Sequence, residues 1–120
     1  MKKTLVLGAS PNPDRYSYAA VEKLRRAGYE VIAVGGRSGM IADVHIEVGM
    51  PEVQGVDTVS LYIGPARQPD FESYILETIQ PRRLIFNPGT ENREFMEKAL
   101  ERGIEAYLAC TLVMLSLGNY

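Results

Sequence analysis

The fold is decided by residues 4–15, TLVLGASPNPDR, and by the run 16–28 that follows them. Residues 4–8 form an apolar strand that ends in glycine, and residues 9–15 form a short polar turn. In residues 16–28 the apolar side chains recur at helical spacing, Ser17 is a candidate cap, and Gly28 ends the helix. The first N–H groups of a helix have no partners and attract phosphate, so this pattern is typical of the start of a nucleotide-binding α/β domain.

The rest of the chain continues the alternation of strands and helices. Strands are predicted at 30–35, 43–48, 57–63, 83–87 and 105–108, and helices at 70–80, 90–102 and 111–117. Short apolar strands between amphipathic helices predict a parallel sheet that is covered on both faces. Right-handed crossovers then give an α/β fold, a Rossmann-like doubly wound parallel sheet with strand order 3-2-1-4-5-6.

The predicted helices also carry expectations about caps and buried faces. Asp70 is expected to cap the second helix, and Thr90 to start the third, with Glu91 and Glu94 in its first turn. The side chains that the third helix should bury are Phe95, Met96, Ala99 and Leu100. The apolar stripe of the last helix is Leu112, Val113, Leu115 and Leu117. This stripe is buried either in the core or in a homodimer.

Length and composition limit what this chain can be. With 120 residues, 46% of them hydrophobic, residues 1–120 are expected to form a single domain. The net charge is −2, whereas nucleic-acid-binding surfaces show a basic excess, so no nucleic-acid partner is expected. One Cys and one His exclude an internal disulfide and a structural zinc site. No long apolar run predicts a membrane segment, and we expect a cytoplasmic protein.

The expected ligand site follows from the fold. In such a sheet, ligands bind beyond the carboxyl ends of the strands, where the strand order reverses. The predicted contacts are Gly8, Ala9, Ser10, Asn12, Arg15, Gly35, Arg37, Ser38, Ile63, Asn87, Pro88 and Gly89. Residues 110–111 are expected at the same edge of the sheet. For the glycines, the prolines and Asn12, turn chemistry alone is the alternative explanation.

The residues after the second strand discriminate between ligands. An NAD site has Asp or Glu there to bind the ribose hydroxyls, whereas this chain has Gly35-Gly36-Arg37-Ser38. An arginine beside a hydroxyl suits an extra phosphate, either the 3′-phosphate of coenzyme A or the 2′-phosphate of NADP. An Arg37 that is merely solvated is the alternative.

Three stretches resemble one known family. They are Gly8-Ala9-Ser10-Pro11-Asn12-Pro13-Asp14-Arg15, Gly28-Tyr29-Glu30-Val31 and Asn87-Pro88-Gly89. They are similar to the small stand-alone CoA-binding domains, which look like the CoA-binding domain of the succinyl-CoA synthetase α subunit. The resemblance covers nearly the whole chain, and it implies a Rossmann-like fold with CoA as the ligand. It also implies that Gly8, Ser10, Asn12 and Arg15 lie near the phosphates.

Residues with catalytic chemistry are sparse. His45 is expected on the third strand, away from the ligand, and Cys110 is expected to be a buried structural thiol. Tyr62 either stacks on an adenine or packs in the core. We therefore expect a non-catalytic protein that binds CoA or an acyl-CoA, without a metal site. The alternatives are an NADP-binding reductase or sensor, and an interaction module without a ligand.

Overall fold

A computed structural model describes residues 2–120 of the chain. The strands are β1 (Lys3–Ala9), β2 (Glu30–Gly35), β3 (Gly39–Ile41), β4 (Val44–Val48), β5 (Thr58–Leu61), β6 (Arg83–Phe86) and β7 (Glu105–Leu108). The α-helices are α1 (Tyr16–Arg26), α2 (Arg93–Glu101) and α3 (Thr111–Leu117). A 3₁₀ turn (Gln68–Asp70) and a π-helical segment (Tyr74–Ile79) connect β5 to β6.

The strands form one seven-stranded sheet in the order β3-β4-β2-β1-β5-β6-β7. All neighbouring strands are parallel except β3 and β4, which pair antiparallel. Without β3, this order is the predicted 3-2-1-4-5-6, so the Rossmann-like doubly wound fold is confirmed. The sequence pattern does not predict β3, because three residues are too few to show the period of a strand.

Two apolar cores cover the two faces of the sheet. On one face, the π-helical segment and α2 pack against the strands through residues such as Ile75 and Phe95. On the other face, α1 packs through Val21 and Leu24, and α3 adds partly buried side chains such as Leu115. The sheet is thus covered on both sides, and its central strands β1, β5 and β6 are the most deeply buried.

The connection between β5 and β6 differs from the prediction. Asp70 caps no helix there, since it ends the 3₁₀ turn, and the regular segment begins later, at Tyr74. The Gln80 N–H donates to the Ile75 carbonyl at 2.9 Å, which is the i→i+5 bond of a π-helix. Over a segment of only six residues, the apolar spacing does not distinguish this geometry from an α-helix.

Helix α2 begins three residues later than predicted. Its cap is Asn92, whose side-chain oxygen accepts a hydrogen bond from the Phe95 N–H at 3.1 Å. The Thr90 hydroxyl instead donates to the Asn87 carbonyl at 2.8 Å, within the turn after β6. Glu91 therefore lies before the helix, and its carboxylate accepts from a backbone N–H of that turn.

The buried faces of α2 and α3 are narrower than predicted. Phe95 and Ala99 are buried, Met96 is half-buried, and Leu100 is 52% exposed. In the stripe on α3, Leu112 and Leu115 are half-buried, whereas Val113 and Leu117 are 52% and 71% exposed. The core thus covers only part of that stripe, and a homodimer that would cover the rest stays a prediction.

Residues 2–120 contain neither a membrane-crossing helix nor a cluster of metal-binding side chains. Within this range, no helix is long and apolar enough to cross a membrane. The same residues contain no cluster of three or more His, Cys, Asp or Glu side chains that could hold a metal ion.

Phe95 should be a major source of core stability. It is fully buried and meets Phe86 edge to face, with the ring centroids 5.7 Å apart. We expect Phe95→Ala to lower the free energy of unfolding by about 3–5 kcal/mol, because it removes the buried ring and leaves a cavity. Leu100→Ala, on the exposed face of the same helix, should change it by less than about 0.5 kcal/mol. Urea unfolding of the two variants measures both values, and equal losses would contradict this assignment of the helix faces.

Candidate functional site

A cleft of about 580 Å³ lies at the carboxyl ends of the central strands. It spans the border between β1 and β5, where the strand order reverses. The β1–α1 connection contributes Gly8, Ala9, Ser10, Pro11, Arg15, Tyr16 and Ser17 to its walls. The loops after β2 and β4 contribute Gly35, Gly36, Arg37, Val48, Gly49 and Met50. The loops after β5 and β6 contribute Tyr62, Ile63, Gly64, Arg67, Phe71, Pro88, Gly89 and Thr90. The volume suits a small-molecule ligand.

The floor of the cleft depends on two glycines. Gly8 has a φ of +96°, and a Cβ placed on it would lie 2.8 Å from the Tyr62 carbonyl oxygen. A Cβ on Gly35 would lie 2.0 Å from the Ala9 carbonyl oxygen. The pairing of β1 with β2 shifts register at this point, between Leu7 and Ala9. Both positions therefore need glycine so that β1 can leave the sheet between its neighbours.

The start of α1 faces the cleft without a side-chain cap. Its N-cap residue is Arg15, which has extended backbone and makes no capping hydrogen bond, and the first turn contains no acidic residue. The predicted cap Ser17 is instead a buried residue inside the helix. The N-terminus of α2, by contrast, is closed by Asn92. The positive end of the α1 dipole is thus open to an anion in the cleft.

Three arginines line the cleft, and no carboxylate does so among the residues described. Arg15, Arg37 and Arg67 follow β1, β2 and β5, which are adjacent strands of the sheet. Within residues 2–120, none of the three forms an ion pair. The cleft therefore carries uncompensated positive charge, although the chain as a whole is acidic.

Most of the predicted contact residues lie in this cleft. The wall residues among them are Gly8, Ala9, Ser10, Arg15, Gly35, Arg37, Ile63, Pro88 and Gly89, while Asn12, Ser38 and Asn87 do not line it. The Asn12 side-chain oxygen accepts from the Asp14 N–H at 3.0 Å, and its backbone N–H donates to the Ser10 hydroxyl at 3.1 Å. Asn12 therefore shapes the turn, as the alternative explanation predicted.

Asn87 is a buried structural link behind the cleft. Its side-chain nitrogen donates to the Ser60 hydroxyl and to the Leu61 carbonyl, each at 2.9 Å. Its side-chain oxygen accepts from the Thr111 N–H at 2.8 Å. The amide thus ties the end of β6 to β5 and to the start of α3. These bonds occupy the side chain, and the ligand contact predicted for it has no support in this geometry.

The sequence reasoning missed several wall residues and one that stands behind them. Val48, Met50, Phe71 and Thr90 line the cleft, and none of them belongs to a recognisable motif. Gln68 lies behind the wall, fully buried, and its side chain bonds to both the β5 and β6 loops. A glutamine in a polar loop carries no sequence signal for such a role.

The three candidate chemical residues lie in different surroundings. Tyr62 lines the cleft, but its hydroxyl is buried and has no hydrogen-bond partner in the described chain. Burial raises the pKa of Tyr62 to about 12. Cys110 is half-buried; with Thr111 it follows β7 at the expected edge of the sheet, but neither residue lines the cleft walls. His45 is exposed on β4 and also lies outside the walls.

The structure is that of a Rossmann-like domain with a cleft at its topological switch point. The chain belongs to the CoA-binding domain family, whose model matches residues 2–116. This match confirms the resemblance that the stretches at residues 8–15, 28–31 and 87–89 indicate.

Relatives share this architecture over most of their length. The chain is similar to the uncharacterized protein YneT of Bacillus subtilis (strain 168), with 29% identity over 105 residues, which are 85% of this chain and 76% of YneT. The crystal structure of an uncharacterized protein matches with 50% identity and a TM-score of 0.96, covering 100% of this chain and 98% of the other. A Thermus thermophilus protein, cell-free ID.343, matches with 20% identity and a TM-score of 0.86, over 99% of this chain and 90% of the other. At that identity the likeness shows the fold alone.

The close approach at Gly35 predicts a position-specific loss of stability. Gly35→Ala forces a Cβ against the Ala9 carbonyl oxygen, so we expect the free energy of unfolding to fall by about 2 kcal/mol or more. Gly36→Ala adds the same methyl group where no atom lies within 4 Å, and it should change stability by less than about 0.5 kcal/mol. Chemical denaturation of both variants tests this. A Gly35→Ala protein as stable as Gly36→Ala would show that β1 and β2 do not meet so closely.

Proposed function

We propose that this protein binds CoA or an acyl-CoA in the cleft and that it catalyses no reaction itself. The observation that carries the proposal is the charge of the walls, where three unpaired arginines stand without a carboxylate. CoA carries a diphosphate and a 3′-phosphate, and guanidinium groups bind phosphate through paired hydrogen bonds. Membership of the CoA-binding domain family supports the same ligand.

The shape of the cleft supports one orientation of the ligand. In doubly wound folds the diphosphate lies at the first helix N-terminus, which here means the Gly8–Ser10 backbone and Arg15. The ribose would lie toward the end of β2, and its 3′-phosphate would bind Arg37, which lines the cleft there. Ser38 follows it but lies outside the wall.

The two ends of the ligand would meet different walls. The adenine would lie against the apolar residues on the β4 side, Val48 and Met50, which are 58% and 48% exposed. The uncharged pantetheine arm would run over the opposite walls, formed by Ile63, Pro88 and Gly89. The predicted contact residues that line the cleft are therefore the proposed binding residues.

The titratable side chains of the walls suit binding better than proton transfer. They are arginines and tyrosines, and the Tyr62 pKa is raised to about 12 by burial. A general base works best when its pKa lies near the working pH. The proposal also retains a cytoplasmic location, which rests on the single cysteine and not on the fold.

NADP is the second candidate ligand, and one observation favours it. Arg37 stands where an NAD site has an acidic residue, and the 2′-phosphate of NADP would meet the same guanidinium. The other wall residues suit CoA and NADP equally well, so binding of both nucleotides has to be measured.

Arg37→Ala should weaken CoA binding about tenfold or more, because it removes a charge-assisted contact to the 3′-phosphate. Dephospho-CoA, which lacks that phosphate, should bind the variant and the wild-type protein within about twofold. Calorimetric titration with CoA, dephospho-CoA and NADP measures these affinities. Arg26→Ala, an exposed arginine outside the cleft, is the matched control and should leave all three unchanged.

Three results of these titrations would count against the proposal or its details. If Arg37→Ala loses the same affinity for CoA as for dephospho-CoA, Arg37 does not contact the 3′-phosphate. If the wild-type protein binds NADP more tightly than CoA, the alternative function, an NADP-binding reductase or sensor, is favoured. A wild-type protein that binds none of the three would reject the proposed function.

A further inference from the structure

Gln68 is a fully buried polar side chain with a partner for each of its polar atoms. Its side-chain nitrogen donates to the Ile63 carbonyl and to the Thr90 carbonyl, each at 2.8 Å. Its side-chain oxygen accepts from the Asn92 side-chain nitrogen at 2.9 Å. Both N–H groups of the amide and one lone pair of its oxygen are therefore used inside the protein.

The two carbonyls that Gln68 binds belong to two different walls of the cleft. Ile63 stands on the β5 wall, and Thr90 stands on the β6 wall. A single nitrogen holds both, so its two N–H directions fix the separation of the walls. The third bond, to Asn92, adds the start of α2 to the same unit, because Asn92 is the cap of that helix.

Gln68 also anchors the loop that presents Arg67. The Arg67 N–H donates to the Gly64 carbonyl at 3.0 Å, and the Gln68 carbonyl accepts from the Phe71 N–H at 2.8 Å. Between β5 and the helical residues that begin at Glu72, residues 62–71 contain only the 3₁₀ turn as regular structure. The buried Gln68 side chain ties this connection to the β5 and β6 loops directly after Arg67, and so restricts where that arginine lies.

We propose that Gln68 is a positioning residue of the ligand site, which holds Arg67 and the β5 wall against the β6 wall before the ligand arrives. This inference rests on the proposed function, since it assigns the held site to CoA. A preformed site loses less conformational freedom on binding than a loop that must first be ordered. Gln68 thus contributes to affinity without touching the ligand.

A double-mutant cycle separates positioning from a merely structural role. Gln68→Met removes the hydrogen bonds and retains an unbranched side chain of similar size, and Arg67→Gln removes the charge that Gln68 holds in place. We expect each single change to weaken CoA binding about fivefold. Independent losses would weaken the double variant by the product of the two factors, and we expect it to bind CoA at least about threefold more tightly than that. The matched cycle of Gln68→Met with Arg37→Ala, across the cleft, should give the simple product of its two losses.

A second variant and a second measurement keep the test decisive if Gln68→Met folds poorly. Gln68→Asn retains a neutral carboxamide but is one methylene shorter, so its nitrogen should no longer span the Ile63 and Thr90 carbonyls. In the ligand-free Gln68→Asn protein, the backbone amide resonances of Gly64 and Gly89 should shift from their wild-type positions. Those of Gly28 and Gly118, far from the cleft walls, should stay.

The outcomes distinguish this inference from the proposed function. It is overturned if Gln68 variants lose thermal stability but bind CoA as the wild-type protein does. Independent losses for Gln68 and Arg67, or unchanged Gly64 and Gly89 resonances, overturn it as well. A wild-type protein that does not bind CoA rejects the proposed function instead, and the glycine resonances still decide whether Gln68 holds the two walls.

Discussion

The departure of β1 from the sheet between β2 and β5 is the constraint on which the rest of the site depends. Gly8 takes a left-handed conformation beneath the Tyr62 carbonyl, and Gly35 allows the Ala9 carbonyl to approach where a methyl group would stand. The turn that follows leads directly into α1, whose first N–H groups then face the cleft. The two glycines, which have no side chain, thus determine where the positive end of α1 lies.

Charge is distributed so that this positive end is reinforced and not neutralised. Away from the cleft, several arginines form ion pairs, for example Arg25 with Asp43 at 2.7 Å and Arg82 with Asp57 at 2.7 Å. These pairs are at least partly exposed, so each adds little stability. The acidic side chains in these pairs lie outside the cleft, so the three cleft arginines keep their positive charge unopposed there.

The order of the sheet could be read from the sequence because it depends on repeated, local patterns. The apolar run 30–35 predicts a buried strand, and the alternation of strands and helices predicts a doubly wound sheet with a switch point; both are found. The strand β3 and the π-helical segment could not be predicted in this way. They depend on where short segments meet the rest of the sheet, because three strand residues or six helical residues contain less than two periods of their own pattern.

The site was predictable where backbone chemistry decides it and unpredictable where packing does. Arg37 and the glycines follow from their positions after strands, which fix their place at one edge of the sheet. Asn87 has a similar position, yet its amide turns inward to Ser60 and Thr111, because buried hydroxyl and N–H groups there need partners. No local pattern separates an amide that faces a ligand from one that faces the core.

Gln68 and Asn87 show what kind of side chain can hold such a site together. Each joins the ends of two neighbouring strands or their loops to the start of a helix, one toward α2 and the other toward α3. A carboxamide donates and accepts in the same plane and carries no charge. A buried carboxylate in either place would have offset the arginines and would have required a partner of its own. Neutral amides therefore join the walls of the cleft without offsetting the positive charge of its arginines.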